Sequence, residues 1–204
     1  MSAGKSCLPV AAIILAAGAG TRMGKPKQLL PYRGRTLIEH AIEQAREAGF
    51  DPILVVVGAH SDEVRAAIAA RPVEVVQNDF WRSGMGSSLS VAARRLREIS
   101  GDSAAVAVLL ADQPRVMAEH LSGMRRLLST SASPIIAARY NNTIGVPALF
   151  KRELFATLAE LAPEVGARQL LRDSGIKVTR YLLPEAATDV DTPGDYAALQ
   201  AGAT

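Results

Sequence analysis

A glycine-rich basic segment, residues 15–28, holds the residues best suited to chemistry. Its sequence, LAAGAGTRMGKPKQ, carries three cations, Arg22, Lys25 and Lys27. Glycine lets backbone amides approach a ligand closely, and such amides together with Arg or Lys side chains bind phosphate groups. Neither common phosphate motif fits, because Met23 replaces a glycine of the dinucleotide fingerprint and Pro26 replaces the Ser or Thr of the Walker loop. We therefore expect a different phosphate-binding loop; the alternative is an ordinary solvated turn.

Two aspartates far along the chain predict a metal site. Asp112 directly follows the apolar run 104–111, and Asp191 directly precedes Thr192-Pro193, a typical helix start. Magnesium in proteins typically takes one or two carboxylates together with substrate phosphates and water. We expect Asp112 and Asp191 to hold Mg²⁺, although each could instead cap a turn or a helix.

A third segment, residues 78–89, has polar groups suited to a nucleoside. Asn78 and Ser88 could hydrogen-bond a base or a ribose, and Gly84 and Gly86 permit close backbone approach. A serine nucleophile is not expected, because the G-x-S-x-G spacing is absent here. The three histidines are dispersed and share no metal-ligand spacing.

The elements that must position these residues alternate between strands and helices. Apolar runs predict strands at 10–15, 53–57, 73–76, 104–110, 134–138 and 177–182, with a looser stretch at 144–150. Helices are predicted after the caps Thr36, Ser61 and Thr192, and near 87–99, 117–128, 152–161 and 166–173. This order predicts an α/β fold, a Rossmann-like three-layer sandwich with a mostly parallel sheet. We expect one domain over residues 1–204, with its core at about 10–201, and a ligand site at the carboxyl ends of the strands.

Composition excludes several classes of protein. The 204 residues are 49% hydrophobic and carry a net charge of +3, which argues against disorder and against a nucleic-acid partner. The single cysteine, Cys7, cannot form an internal disulfide, and no run reaches the roughly 18–20 apolar residues of a membrane span. We therefore expect a soluble cytoplasmic protein without a membrane partner.

Six segments together resemble a known family. LAAGAGTRMGKPKQLLP, GMGSSL, ADQP, GVPALF, GARQLL and DVDTP occur in this order. They resemble the signature segments of the molybdenum cofactor nucleotidyltransferases, a group within the MobA-like NTP transferase superfamily, and among these the cytidylyltransferase branch.

That resemblance implies roles for individual residues. The nucleotide would lie against residues 15–20 (Leu15, Ala16, Ala17, Gly18 and Gly20 among them), with Arg22 and Lys27 on its phosphates. Asp112 and Asp191 would hold Mg²⁺, and Arg22, Lys27 and Asp112 would be catalytic. Ala17, where guanylyl-transferring relatives carry glycine, implies CTP as the donor. Gly145, Pro147 and Arg168 would face a molybdopterin-type acceptor, and a molybdoenzyme could receive the product.

Two departures from the family pattern concern the acceptor. Val146 stands where the branch usually has histidine, and Pro163-Glu164 replaces part of its G-D-x-G-A-R segment. The expected reaction is transfer of CMP from CTP to a phosphorylated small molecule with release of pyrophosphate. The alternatives are a cytidylyltransferase for a sugar phosphate or an isoprenoid precursor, a non-catalytic nucleotide-binding or cofactor-binding chaperone, and a redox enzyme of the same fold.

Overall fold

The computed structural model describes residues 8–167, 171–172 and 175–202. Its strands are β1 (Val10–Leu15), β2 (Pro31–Tyr32), β3 (Arg35–Thr36), β4 (Ile53–Val57), β5 (Glu74–Gln77), β6 (Ala105–Leu110), β7 (Ile135–Tyr140), β8 (Thr143–Lys151) and β9 (Val178–Leu182). Its helices are α1 (Leu37–Glu47), α2 (Ser61–Ile68), α3 (Met85–Ile99), α4 (Ala118–Thr130), α5 (Phe155–Ala159) and α6 (Pro193–Ala201). Of the helix expected at 166–173, residues 168–170 and 173 lie outside the described part.

Seven of the strands form one sheet in the order β5-β4-β1-β6-β8-β7-β9, and β2 pairs with β3 apart from it. All neighbours in the large sheet are parallel except β8, which runs antiparallel to both β6 and β7. The predicted mostly parallel α/β sheet is confirmed. The carboxyl ends of β1, β4 and β6 consequently lie at one edge, where a ligand is expected.

Helices cover both faces of the sheet because alternate strand residues point to opposite sides. Ile14 of β1 packs in one apolar layer with α1 and α4, while Ile13 packs in the other with α3 and α5. Both isoleucines are fully buried, and each such burial stabilises the fold by about 1.5–3 kcal/mol. None of the helices in the described residues is long and apolar enough to cross a bilayer.

Local capping sets the helix ends. Thr36 and Glu39 form a capping box at the start of α1, as predicted, and Gly49 follows the helix with φ of 75°. Thr192 caps α6 through Asp195, with Pro193 in the first position. The predicted cap at Ser61 is wrong: Ser61 is the first residue of α2, and His60 precedes it with φ of 58° and no capping side-chain bond.

The hairpin of β7 and β8 is the largest difference from the predicted elements. The stretch expected to be loose is a strand of nine residues, buried from Gly145 to Phe150. Asn141 and Asn142 form its two-residue turn with φ of 44° and 58°. Asparagine tolerates positive φ better than most residues, and a two-residue type I′ turn needs it at both positions.

Candidate active site

The loop after β1 forms one wall of a cavity of about 250 Å³ at the carboxyl edge of the sheet. The loop contributes Leu15, Ala16, Ala17, Gly18, Lys27 and Gln28; the start of α3 and the turn before it contribute Trp81, Gly84, Met85 and Ser88; and the end of β6 contributes Leu110, Ala111 and Asp112. The structure thus brings together most of the residues expected to bind a nucleotide. Gly20 and Arg22 lie beyond the lining, on the next turn of the loop.

The backbone carbonyls of residues 15–20, the first part of this loop, are engaged within the protein. Gln28, which is 2% exposed, donates from Nε2 to the carbonyls of Ala16 at 2.7 Å and Gly18 at 2.8 Å. The carbonyls of Ala17, Ala19 and Gly20 contact Ala59 N, His60 Nε2 and Met23 N, at 3.0, 3.3 and 2.9 Å. Since carbonyl oxygens repel phosphate, tying them down favours a loop that offers its N–H groups to an anion.

Lys27 lies between the two predicted metal ligands. Its ammonium group donates to Oδ2 of Asp112 and, at 2.8 Å, to Oδ1 of Asp191. A backbone hydrogen bond of 3.0 Å from Val190 N to Asp112 O holds the two segments together. Carboxylates distant in sequence therefore share one cation beside the cavity.

The charges of this group stabilise one another. Burial disfavours the charged form of Lys27, but Asp112 and Asp191 outweigh it, so the pKa of Lys27 is raised. The hydrogen bond from Lys27 lowers the pKa of Asp191, and Arg22 lowers it further through a 2.9 Å contact to Oδ2. The Arg22 side chain is 70% exposed, so it can move toward a ligand. Oδ1 of Asp112 is buried and lacks a hydrogen-bond partner in the described residues.

Asp189 is a further carboxylate that we did not select from the sequence. Burial, and then the charge of Asp112, raise its pKa, while Gln113 Nε2 donates to its Oδ1 at 3.0 Å. The D-x-D spacing of Asp189 and Asp191 is the sequence feature that could have indicated this second carboxylate. Among the described residues, no three or more His, Cys, Asp and Glu side chains are grouped to hold a metal ion by themselves.

Asn78 and Ser88 occupy different positions. Ser88 lines the cavity, whereas Asn78 is 3% exposed and does not. Asn78 Nδ2 donates to the hydroxyls of Ser87 and Ser88, both at 2.9 Å, and its Oδ1 accepts from Phe80 N at 3.0 Å. Its amide therefore orients Ser88 from behind the cavity wall.

The glycines before and within α3 approach the chain itself. A Cβ on Gly86 would lie 2.2 Å from the carbonyl oxygen of Ala162, and one on Gly84 would lie 2.5 Å from that of Pro163. Ser87 N also donates to Pro163 O at 3.3 Å. The close approach predicted for a nucleotide is, at Gly86, a contact with the 162–165 segment.

Of the residues predicted to face the acceptor, Gly145 and Pro147 do not line the cavity beside the loop after β1. Gly145 lies against Tyr140, whose hydroxyl is 2.5 Å from where a Cβ would be. Pro147 lines a separate small cavity with Gln113, and Gln113 Nε2 contacts Val146 O at 3.4 Å. Arg168 lies outside the described residues.

The chain is similar to several known proteins over most of its length. Residues 12–179 match the MobA-like NTP transferase domain. Nicotine blue oxidoreductase of Paenarthrobacter nicotinovorans is 35% identical over 93% of this chain and 96% of its own. The crystal structure of Rv0371c from Mycobacterium tuberculosis superposes with a TM-score of 0.79 at 33% identity, covering 95% of this chain and 98% of that one. A manganese complex of Rv0371c superposes with a TM-score of 0.76 at 32% identity, covering 94% and 97%. A domain match over residues 12–179, which is most of the chain, makes this protein a member of the MobA-like NTP transferase family.

Proposed function

We propose that this protein transfers CMP from CTP to a phosphorylated small molecule of the molybdopterin type and releases pyrophosphate. The observation that carries the proposal is the placement of Lys27 between Asp112 and Asp191, beside a cavity walled by the loop after β1. Phosphoryl chemistry needs cations and divalent-metal ligands at one place, and positioning with charge neutralisation supplies most of its catalysis.

The loop would bind the triphosphate through its N–H groups, because the carbonyls of residues 15–20 are already occupied. Lys27 would leave the carboxylates for the α-phosphate, and the exposed Arg22 would follow the departing pyrophosphate. Ala17 lines the cavity, and its methyl group leaves less room than the glycine of guanylyl-transferring relatives. This favours the smaller cytosine base.

Asp112 and Asp191 fit a divalent cation, which we propose to be Mg²⁺. The unpartnered Oδ1 of Asp112 and the cation already held between the two carboxylates support this assignment. When bound, the metal would neutralise charge on the triphosphate oxygens. The relative Rv0371c forms a manganese complex.

In the transfer step, an oxygen of the acceptor phosphate attacks the α-phosphorus of CTP. A new P–O bond forms as the bond to the β-phosphate oxygen breaks, and pyrophosphate takes that electron pair. Phosphate monoesters have a second pKa of about 6, so the acceptor is already ionised near neutral pH. A dedicated general base is therefore unnecessary, and Lys27 and Arg22 act on charge and alignment.

The test is a matrix of the four nucleoside triphosphates against molybdopterin, sugar-phosphate and isoprenoid-precursor acceptors, scored by pyrophosphate release with Mg²⁺ or Mn²⁺. We expect CTP with a molybdopterin-type acceptor to give the highest rate. Asp112→Asn should lower that rate at least about 100-fold. Asp102→Asn, which changes an exposed aspartate away from the site, is the matched control. Equal rates for wild type and Asp112→Asn would refute the roles assigned here.

A redox activity is the second candidate, because a relative 35% identical is a nicotine blue oxidoreductase. The loop after β1 lacks the dinucleotide fingerprint, which argues against hydride transfer. Oxidation of NADH or NADPH by the purified protein, without metal-dependent pyrophosphate release, would favour this candidate. Metal-independent CTP binding with neither reaction would favour a nucleotide-binding chaperone.

A further inference from the structure

A second, larger cavity of about 550 Å³ lies over the far strands of the sheet. It is lined by the polar residues Arg139, Asn142, Thr143, Arg172 and Arg180, with apolar side chains such as Ile144 and Val178. It shares no lining residue with the nucleotide cavity. Its volume lies within the roughly 300–1,000 Å³ typical of small-molecule sites.

The three arginines of this cavity have no acidic partner in the described part of the chain. Arg172 Nη2 donates to the neutral hydroxyl of Thr143 at 2.7 Å, and no side-chain bond joins Arg139 or Arg180 to a described residue. By contrast, several other arginines pair with carboxylates: Arg22, Arg35, Arg46, Arg71 and Arg95. Three like charges around one cavity repel each other, and an anion placed among them would remove that repulsion.

Rigid elements fix the backbone positions of two of these arginines. Arg139 on β7 pairs with Ile144 of β8, and Arg180 on the neighbouring strand β9 pairs with Ala137. Arg139 and Ala137 are two residues apart, so the two arginines are diagonal neighbours on one face of the sheet. Thr143 at the start of β8 fixes Arg172 from the other side. A site built on strands holds its charged groups more precisely than a mobile loop does.

We propose that Arg139, Arg172 and Arg180 form a binding site for a phosphate group of a small molecule. Guanidinium groups form paired, parallel hydrogen bonds with phosphate oxygens, and the three positive charges together exceed the charge of a phosphate dianion. Asn142 and Thr143 add neutral polar groups beside it. The phosphate belongs either to the acceptor, a reading that depends on the proposed function, or to a separate effector.

The acceptor source fits the position of the cavity. The β7–β8 turn lies at the sheet edge that also carries Asp112, and β8 is the immediate neighbour of β6. Ile144, in the cavity wall, directly precedes Gly145 of the GVPALF segment. An acceptor reacting at the nucleotide cavity could therefore extend across β8 and place a second anionic group among the arginines.

The binding test uses inorganic phosphate as the probe and follows backbone amide NMR signals of Thr143, Ile144 and Val178 at constant ionic strength. We expect saturable shifts of these signals, with an affinity about tenfold or more weaker in the double variant Arg139→Gln/Arg180→Gln. Arg126→Gln, which changes an exposed arginine on α4, is the matched control and should leave the affinity unchanged. Absence of saturable shifts, or equal affinity in the folded double variant, would overturn the site.

Steady-state kinetics then identify the source of the phosphate. If it belongs to the acceptor, the double variant should raise the KM for the acceptor about tenfold while leaving the KM for the triphosphate unchanged. If it belongs to an effector, both KM values should stay constant while phosphate binding is lost. The NMR arm needs no turnover, so failure of the proposed transferase activity and failure of this site are distinguishable.

Discussion

Two cavities of the protein differ in how their charged groups are paired. Beside the cavity of the loop after β1, the cations Lys27 and Arg22 are bonded to Asp112 and Asp191. In the arginine cavity, the described lining holds Arg139, Arg172 and Arg180 and no acidic residue. Under the two proposals, the cations of the first site would exchange their carboxylate partners for a triphosphate and a metal, whereas the arginines of the second would pair directly with a bound anion. The two sites thus differ in whether ligand binding must first break ion pairs within the protein.

The largest expected effect tests the exchange on the nucleotide side. Lys27→Met should lower transfer by about 100-fold to 1,000-fold, because a cation aimed at the developing charge is lost. The same change should tighten Mn²⁺ binding to the nucleotide-free protein, since the ammonium no longer occupies the carboxylates. Kinetics and metal titration measure the two effects. The control Lys177→Met alters an exposed lysine just before β9 and should change neither the transfer rate nor the Mn²⁺ affinity. Unchanged metal affinity in Lys27→Met would contradict the exchange.

The next effect tests the packing of the 162–165 segment against the start of α3, which lines the cavity. Gly86→Ala should lower the free energy of unfolding by about 1–3 kcal/mol, because its Cβ would lie 2.2 Å from a backbone carbonyl. Gly101→Ala meets nothing within 4 Å and is the control, expected to change stability far less. Denaturant unfolding measures both variants. A gain in stability for Gly86→Ala, as helix propensity alone predicts, would show that the contact is absent.

A smaller effect distinguishes the loop from the scaffold behind it. Gln28→Ala should raise the KM for the triphosphate about fivefold to tenfold, because two loop carbonyls lose their donor. Gln44→Ala also removes a buried amide, one that accepts from Ala118 N at 2.8 Å, but it lies outside the site. Both variants should lose stability, and only Gln28→Ala should change KM. Equal KM values in the two variants would show that the hydrogen bonds of Gln28 do not matter for triphosphate binding.

The smallest effect concerns Asp189 and the pH. Its pKa is raised above the ordinary 3.8 by burial and by Asp112, so the ionised form costs stability once the pH exceeds that range. Asp189→Asn should therefore raise Tm slightly at pH 7. The gain in the free energy of unfolding should be less than about 1 kcal/mol, because the carboxylate is partly solvated. The gain should shrink as the pH falls toward 3.8. Thermal unfolding from pH 7 down to 3.8 measures the trend, and a gain that grows on acidification would contradict the sign.

Local sequence predicted most of the fold. Buried parallel strands appear as continuous apolar runs, and Thr36 and Thr192 announce the helices that they cap. Strand β8 was not predicted, because glycine and proline interrupt its apolar pattern. The Asn141-Asn142 pair before it is nevertheless typical of a hairpin turn. The Ser61 cap failed because the residue before it adopts positive φ, which depends on contacts with the distant loop after β1.

The site divides in the same way. That Lys27 and Asp112 follow strands β1 and β6 is visible in the sequence, and the edge rule for parallel sheets predicts their proximity. The hydrogen bonds of Gln28 and the arginine cavity were not predicted, since they depend on packing between segments far apart in the chain. Such contacts leave no periodic pattern in a single sequence.

Strand β8 is antiparallel to its neighbours β6 and β7, so its first residues, rather than its last, lie at the sheet edge that carries Asp112. The Asn141-Asn142 turn that precedes it can lengthen or shorten at the surface while Val106–Val108 keep their ladder with Ala148–Phe150. Under the proposed function, a change of acceptor preference could therefore arise at one exposed hairpin tip, without altering the loop after β1 or the two aspartates. Relatives that share the loop after β1 should accordingly diverge most at this tip.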